Sequence, residues 1–349
     1  MVAAIKTAVW RVLAWVYLVS GLAHVRHRGS VTILTYHRIV SNEMARSEEI
    51  QPGMFVLAQT FEAHLAYLRK RFEIISLAEL LDLWRTNQLK SDRSYCVITF
   101  DDGWRDNYQF AFPVLMKYRI PATIFLATDF IGTARWFWPD QMMLLLENGR
   151  QDTTGAADRK AFSTVLEEAI GVTLSEADGS FKRVESGDPI DSDSIIECCK
   201  GVEVDRIQQI IDRLSRALHM ELPTQRVLLN WDEVREMAGK GVAFGSHSCS
   251  HRIMTQIPPS EAKTELINSM ETLLEQGIKP VPVYCYPNGN FDRDIQKLVR
   301  EGGYLAAVGC EVGLERDRPN DLFALKRISV HEDSSASVSL LAFALSGFR

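Results

Sequence analysis

Two short polar segments contain side chains of the types that bind metal ions. Asp101 and Asp102 directly follow the apolar residues 97–100, and His247 and His251 lie in the segment "SHSCSH" at residues 246–251. Burying two adjacent carboxylates is costly unless a positive charge is close by. A divalent cation held by one carboxylate and two imidazoles would supply that charge and lower the pKa of the carboxylate that binds it.

These residues would support hydrolysis if they meet. Three protein ligands with an open coordination position are typical of a catalytic metal site. The open position can hold a water or a substrate oxygen, and the second carboxylate can accept a proton, which is the chemistry of metal-assisted hydrolysis of a carbonyl compound. Histidines four apart share one face of a helical turn. The alternative is a solvated turn that binds no metal.

The elements around both segments predict how they meet. Apolar, β-branched strands are predicted at residues 31–37, 95–100, 122–127, 242–247, 282–287, 305–309 and 323–330, and helical patterns lie between most of them. Such alternation predicts a parallel, barrel-like sheet covered by helices, with polar residues at the carboxyl ends of its strands. The rhythm breaks in the middle of the chain. We therefore predict an α/β domain in two parts, residues 29–139 and 230–349, with a helical insertion at residues 140–229.

The motifs resemble a known family. "TFDDG" at residues 99–103 together with "HSCSH" at residues 247–251 is similar to the polysaccharide deacetylases, carbohydrate esterase family 4, whose catalytic module is the NodB homology domain. The resemblance covers the two flanking parts of the chain and not its middle. It implies a deformed (β/α) barrel and an enzyme that uses a divalent metal to remove acetyl groups from N-acetylated sugars in a glycan.

The resemblance also implies residue roles. Asp101 would be the general base, and Asp102, His247 and His251 would be the metal ligands. Zinc is the expected metal, and cobalt, nickel or manganese would suit the same ligands.

A third family motif, an aromatic-Pro-Tyr-Gly turn, stands here as "CYPNG" at residues 285–289. Asn288 replaces the usual tyrosine. The family's oxyanion donor at this turn is a backbone N–H, a role that survives the change of side chain. Tyr286, Pro287, Asn288 and Gly289 are thus candidate substrate or oxyanion residues. A plain Pro-Asn-Gly turn is the alternative.

Two histidines are candidates for the general acid. His331 ends the predicted strand "ISV", as in most of the family, and His37 ends "ILTY". The segment "LTYHRI" resembles a circularly permuted branch that includes poly-N-acetylglucosamine deacetylases, and this resemblance favours His37. Asp292 and Arg105 are candidates for tuning the acid.

Residues 1–28 include an apolar run at residues 8–25 that Arg11 interrupts. The run is short for a membrane span. It predicts a helix lying in a membrane surface, and a signal peptide or an ordinary packed helix are the alternatives. Basic residues after the run favour a membrane-associated protein on the cytoplasmic face, with export to the periplasm or outside the cell as the other location.

Charge and composition narrow the function classes. The 349 residues carry a net charge of -6, which argues against a nucleic-acid partner bound by a basic face. An N-acetylated glycan is the expected partner. Two alternatives stay open: a deformylase or other amide hydrolase of the same fold, and an inactive carbohydrate-binding homologue.

Overall fold

The computed structural model describes residues 2–20, 27–151, 162, 164–168, 172–174, 181–183 and 189–346. The chain divides into two compact units. The first comprises Met1–Asn42, Gly53–Thr133 and Val227–Arg349, and the second comprises Glu43–Pro52 and Ala134–Arg226. The second unit therefore differs from the predicted insertion at both ends and takes in a short segment from early in the chain.

The strands of the described residues are β1 (Val31–Tyr36), β2 (Arg38–Val40), β3 (Phe55–Leu57), β4 (Glu73–Ile74), β5 (Tyr95–Phe100), β6 (Thr123–Leu126), β7 (Val172–Leu174), β8 (Phe181–Arg183), β9 (Pro189–Ile190), β10 (Ala243–Ser246), β11 (Val283–Cys285), β12 (Ala306–Val312) and β13 (Leu325–Ser329).

The α-helices of the described residues are α1 (Val2–Val19), α2 (Met44–Ser47), α3 (Ala58–Arg71), α4 (Leu77–Thr86), α5 (Phe112–Tyr118), α6 (Trp138–Gln151), α7 (Ser192–Cys199), α8 (Val204–Ala217), α9 (Trp231–Gly239), α10 (Pro259–Glu275), α11 (Arg293–Glu301), α12 (Glu332–Ser335) and α13 (Val338–Ala344). A π-helical turn, Asn107–Ala111, precedes α5.

A closed parallel barrel forms the centre of the first unit. Its strands follow the order β1-β13-β12-β11-β10-β6-β5, and β5 pairs back with β1 to close the ring. The short strand β4 adds to the outside of β5. The predicted (β/α) barrel of the NodB type is therefore confirmed. Because every pairing in this sheet is parallel, the carboxyl ends of its strands meet at one edge.

Alternate residues of neighbouring strands share one face and build the core of the barrel. The register pairs β1 with β5 as Val31↔Tyr95, Ile33↔Val97 and Thr35↔Thr99. The lower pairs are apolar and belong to one buried cluster, whereas the last pair is polar. With a side-chain period of two, His37 and Asp101 continue these faces at the edge where the strands end.

The second unit has its own apolar core. Side chains from α6, α7 and α8 pack together in it, and Leu145, Ile196 and Ile211 are among its fully buried members. Strands β7, β8 and β9 form a small antiparallel sheet in the same unit. The prediction of a helical insertion is therefore incomplete, since short strands also form there.

Helix α1 packs against α13 at the far end of the chain. The rings of Trp10 and Tyr17 contact that of Phe343, with centroids 5.4 and 5.8 Å apart. Among the described residues, no helix combines the length and the apolar character needed to cross a bilayer. The end of the predicted apolar run, residues 21–25, lies outside the described residues.

Candidate active site

Asp102, His247 and His251 converge at the carboxyl edge of the barrel. Asp102 Oδ1 lies 3.3 Å from His247 Nε2 and 3.2 Å from His251 Nε2. Two ligands about 2.0–2.1 Å from a tetrahedral zinc ion lie about 3.4 Å apart, so these separations match a shared cation. The three predicted ligands are thus brought together from segments far apart in the chain.

A loop after β10 carries both histidines. His247 donates its backbone N–H to Leu126 O of β6, which holds it in line with the barrel. Ser248 and His251 then adopt φ of 64° and 58°, in the left-handed region. These angles are incompatible with a helical turn, so the predicted explanation for the shared direction of the imidazoles is wrong. The left-handed residues reverse the loop and return His251 to its partner.

Glu265 of α10 holds this loop in place. One carboxylate oxygen accepts the backbone N–H groups of Cys249 and Ser250, each at 2.8 Å, and the other accepts the Ser250 hydroxyl at 2.5 Å. Bonds from N–H groups to a carboxylate are stronger than neutral ones. The loop between the two candidate ligands is therefore fixed by a side chain that the sequence did not single out.

Second partners orient His247 and Asp102 toward the cluster. His247 Nδ1 donates to Cys285 O at 2.8 Å, which leaves the Nε2 lone pair for a cation. Asp102 Oδ2 accepts the indole N–H of Trp104 at 2.9 Å, which leaves Oδ1 facing both imidazoles. Two neutral imidazoles and a carboxylate are a donor set that suits zinc. The side chains therefore fit a divalent metal ion.

The charges around this point also favour a cation. Burial alone would raise the pKa of Asp102, but hydrogen bonds from both histidines hold it well below its usual value. Burial lowers the pKa of His247, but contacts with Cys285 and Asp102 outweigh it and raise that pKa well above the ordinary value. For His251, burial is the larger effect and lowers the pKa. The buried Asp102 carboxylate therefore stays ionised, and a bound cation would offset its negative charge.

Asp101 is held by Arg327 rather than by these histidines. The guanidinium donates Nη1 to Asp101 Oδ1 and Nη2 to Oδ2, both at 2.7 Å. Burial of Asp101 would raise its pKa, but Arg327 outweighs burial and holds it at about 2. Asp101 also forms a three-donor group with His247 and Cys285. Arg327 thus engages both oxygens of Asp101, whereas the neighbouring Asp102 faces the imidazoles.

Arg327 occupies the interior of the barrel, directly below the site. It is almost fully buried, and it also donates to Gly309 O, Thr35 Oγ1 and Thr99 Oγ1 at 2.9, 3.1 and 3.3 Å. Thr35 and Thr99, the polar pair in the β1–β5 register, therefore accept hydrogen bonds from this guanidinium. A buried cation needs such partners.

The two residues predicted to tune the general acid have other partners in the structure. Asp292 caps α11 by accepting the N–H of Ile295, and Arg105 pairs with Glu233 of α9. Arg327 is the residue that sequence reasoning missed. The signal that could have found it is the two-residue side-chain period of the predicted strand 323–330. This period places Arg327 on the same face as Leu325, which is buried.

The two candidate acids differ in their surroundings. His37 directly follows β1, and its Nε2 lies 4.0 Å from Asp101 Oδ2, with about a fifth of its side chain exposed. His331 stands at the start of α12, where its Nδ1 lies 3.5 Å from Asp333 Oδ2. The structure thus places His37, and not His331, beside the carboxylate predicted to be the base.

The "CYPNG" turn begins at the site, since Cys285 O is the acceptor for His247. Tyr286 is fully buried, stacks on Phe291 and donates its hydroxyl to Phe323 O. Asn288 is exposed and adopts φ 57°, a left-handed conformation that asparagine tolerates.

The backbone N–H groups of this turn differ in whether they have a hydrogen-bond acceptor. Tyr286 N–H donates to Val308 O, and Gly289 N–H donates to Tyr286 O. Pro287 has no N–H. Asn288 therefore carries the one backbone N–H of the turn that has no acceptor within the described part of the chain.

Comparison with known proteins identifies the family. The model of the polysaccharide deacetylase family matches residues 88–170 and 207–307, slightly more than half of the chain. The unmatched residues 171–206 lie in the second unit, so the resemblance reaches further into the middle of the chain than its motifs predicted. Both His37 and Arg327 lie outside the matched residues.

Two curated relatives match over shorter stretches. The chain is 35% identical over 117 residues to YxkH of Bacillus subtilis, which covers 34% of this chain and 39% of that protein. It is 30% identical over 118 residues to the poly-beta-1,6-N-acetyl-D-glucosamine N-deacetylase of Staphylococcus epidermidis, which covers 31% of this chain and 40% of that protein. The matched stretches thus span about two fifths of either relative.

Solved structures share the fold over most of the chain. The Streptococcus pyogenes deacetylase PplD, in complex with acetate, superposes with a TM-score of 0.55 at 17% identity, covering 90% of this chain and 98% of PplD. IcaB from Ammonifex degensii gives a TM-score of 0.54 at 17% identity, covering 90% of this chain and 97% of IcaB. Taken with the family match, these findings mean that the chain belongs to the polysaccharide deacetylase family.

Proposed function

We propose that this protein is a metal-dependent hydrolase that removes N-acetyl groups from the amino sugars of a glycan. The observation that carries the proposal is the meeting of Asp102 Oδ1 with His247 Nε2 and His251 Nε2 at 3.2–3.3 Å, beside a second carboxylate that Arg327 holds apart. Family membership supports hydrolysis of an acetamide, which releases acetate and leaves a free amine.

Asp101 is the proposed base. When bound by Asp102, His247 and His251, a divalent cation polarises the amide carbonyl and lowers the pKa of water at the site. Asp101 accepts the proton that water loses as its oxygen bonds to the carbonyl carbon. Arg327 keeps Asp101 ionised and fixes the direction of its oxygens, since it binds both of them.

His37 is the proposed acid. It lies close enough to Asp101 to share the same substrate, and its side chain is partly exposed. As the C–N bond breaks, His37 donates a proton to the leaving nitrogen, so that the sugar departs as an amine.

The N–H of Asn288 is the proposed oxyanion donor. It has no acceptor in the described part of the turn, and the turn starts at the residue whose carbonyl anchors His247. A fixed N–H directed at the developing negative charge on the carbonyl oxygen stabilises the transition state without reorganisation. This role uses the backbone, so it is compatible with asparagine at position 288.

The proposed substrate is a polymer that contains N-acetylglucosamine. The name of the Staphylococcus epidermidis relative, 30% identical over 118 residues, points to that sugar, and the segment around His37 resembles the permuted branch. Zinc is the proposed metal, because its preferred ligands and spacing match the site.

The test measures acetate release and metal content together. Purified protein loaded with zinc is incubated with N-acetylglucosamine oligomers, and acetate is quantified. Asp101→Asn should lower kcat/KM at least about 100-fold while bound zinc stays at the wild-type level, because the variant loses the base and keeps the ligands. His247→Ala should lower both.

Either of two results would contradict the proposal. Full activity in Asp101→Asn would remove the base from the mechanism, and unchanged zinc content in His247→Ala would remove the ligand set. A wild-type protein that binds zinc and the oligomers without releasing acetate would instead be a carbohydrate-binding homologue, and one that releases only formate from N-formylated sugars would be a deformylase.

A further inference from the structure

Helix α1 exposes a group of large apolar side chains. Val12, Leu13, Trp15, Val16 and Val19 are between 47% and 61% exposed. They make up five of the nine large apolar side chains that are exposed among the described residues. Soluble proteins rarely leave a contiguous apolar patch uncovered unless it has a partner.

Four of these residues, Val12, Trp15, Val16 and Val19, form one stripe along the helix, which we call the α1 stripe. Positions 12, 15, 16 and 19 follow the spacing of a single helical face. The opposite face is already covered, because Ala14 and Tyr17 are buried and the Tyr17 ring contacts Phe343 of α13. The helix is therefore apolar on two sides, and its own unit covers one of them.

The sequence around the stripe has a marked bias in charge. Residues 1–28 contain Lys6, Arg11, Arg26 and Arg28 and no aspartate or glutamate, although the whole chain has a net charge of -6. A segment that combines an apolar helical face with basic residues in its sequence favours contact with an anionic lipid surface, where cations meet headgroups and apolar side chains enter the acyl boundary.

We propose that the α1 stripe docks this protein on an anionic membrane surface, with the helix axis in the plane of the membrane. The occupant is a lipid surface rather than a second copy of the chain, because residues 1–28 carry basic residues and no acidic ones, so two copies joined through this segment would bring like charges together. Docking is independent of the proposed deacetylation, since neither the metal cluster nor the barrel edge takes part in it.

Vesicle binding tests the proposal on the full chain. The protein is sedimented with vesicles of phosphatidylglycerol mixed with phosphatidylcholine and with vesicles of phosphatidylcholine alone. The wild type should bind the anionic vesicles, and less of it should bind as NaCl is raised. Trp15→Ser should lower the partition coefficient about tenfold, because the largest side chain of the stripe no longer enters the lipid.

Leu305→Ser is the matched control, since Leu305 and Trp15 are both 59% exposed and Leu305 precedes β12. It should bind vesicles like the wild type. Val19→Ser provides a second, smaller loss at another position of the stripe. Trp15, Leu305 and Val19 are all exposed, so none of the three substitutions changes a buried side chain. Thermal unfolding of each variant checks that the fold is kept.

Three results would overturn the proposal. Wild-type protein that stays in the supernatant with anionic vesicles would show that lipid does not cover the stripe. An equal loss of binding in Trp15→Ser and Leu305→Ser would show that binding does not depend on the stripe. A dimer in sedimentation velocity that Trp15→Ser converts to a monomer, without vesicle binding by the wild type, would assign the stripe to a second copy. Acetate release does not enter any of these readouts.

Discussion

At the scale of single residues, Arg327 gives the adjacent aspartates different surroundings. It takes both oxygens of Asp101, whereas Asp102 faces the imidazoles. The family motifs predicted Asp101, Asp102, His247 and His251, because those residues stand in short recognisable segments. Arg327 has no such segment. Its importance depends on the inward face of β13 and on a partner 226 positions away, which a single sequence does not pair.

Replacing Arg327 should change the pH dependence of the reaction. Arg327→Met removes the main cation that holds the pKa of Asp101 at about 2, so burial, which only the weaker effects of His247 and His37 then oppose, raises that pKa. Because the base must be ionised, the acidic limb of the kcat/KM profile should move up by about two pH units or more. Acetate release measured across pH is the readout.

Two variants make this result specific to the ion pair. Arg327→Lys keeps the charge without the two parallel bonds. Its acidic limb should therefore move up less than that of Arg327→Met. Lys326→Met removes the neighbouring cation, which pairs with Glu311 outside the barrel, and should leave the limb in place. If the acidic limb of Arg327→Met does not move, Arg327 does not control the ionisation of Asp101.

At the scale of elements, the site is built from turns that need unusual backbone angles. Asp102, Ser248, His251 and Asn288 all have φ between 57° and 74°. Such conformations cost energy and persist where surrounding contacts enforce them. The strands that lead into these turns were predicted from their apolar runs. The turn at residues 285–289 was also predicted, but the left-handed loop that carries His251 was not, since its shape depends on the contacts of Glu265 rather than on local preference.

Glu265 should control metal affinity through the loop that it holds. Glu265→Ala frees the N–H groups of Cys249 and Ser250 and should weaken zinc binding about 10- to 100-fold, the usual effect of losing a side chain that orients metal ligands. Zinc affinity is measured by competition with a chelator. Glu265→Gln keeps an acceptor oxygen and should restore most of the affinity.

Glu271→Ala is the control on the same helix, because Glu271 is solvent-exposed. It should bind zinc like the wild type. If Glu265→Ala also keeps wild-type affinity, the loop does not depend on the clamp. Thermal unfolding of the metal-free variants separates a local loosening of the loop from a general loss of stability.

At the scale of the whole molecule, the barrel was predictable, but the strand pairings that close it were not. Alternating strands and helices predicted a parallel barrel, and the structure confirms it. That β1 pairs with both β5 and β13 depends on contacts between the two ends of the chain. The small sheet β7–β9 was missed because its strands are too short to show a periodic pattern.

The stability of the whole protein should depend on pH through His64. Its Nε2–H donates to Ser335 O, and its Nδ1 faces the hydroxyl of Tyr36, so the buried ring is neutral. Burial lowers the pKa of His64 to about 4, from the ordinary value of 6.5. Between these values the unfolded chain takes up a proton that the folded protein excludes.

The free energy of unfolding should therefore fall as the pH drops from 6.5 to 4, by at most about 3 kcal/mol from this residue. Urea unfolding at a series of pH values measures it. His64→Gln should flatten the fall, whereas His219→Gln, at an exposed position, should keep the wild-type profile. Parallel profiles for wild type and His64→Gln would assign the acid sensitivity to other groups.

Closure of the barrel through β1 also has a consequence during translation. Thr35 and Arg327 hydrogen-bond across 292 positions of sequence, so β1 leaves the ribosome long before its neighbour β13 exists. Until then the ring has two open edges and Asp101 lacks its guanidinium. We therefore expect the site to stay incomplete in the nascent chain, and we expect the pairing of β1 with β13, which closes so long a loop, to be a late step of folding.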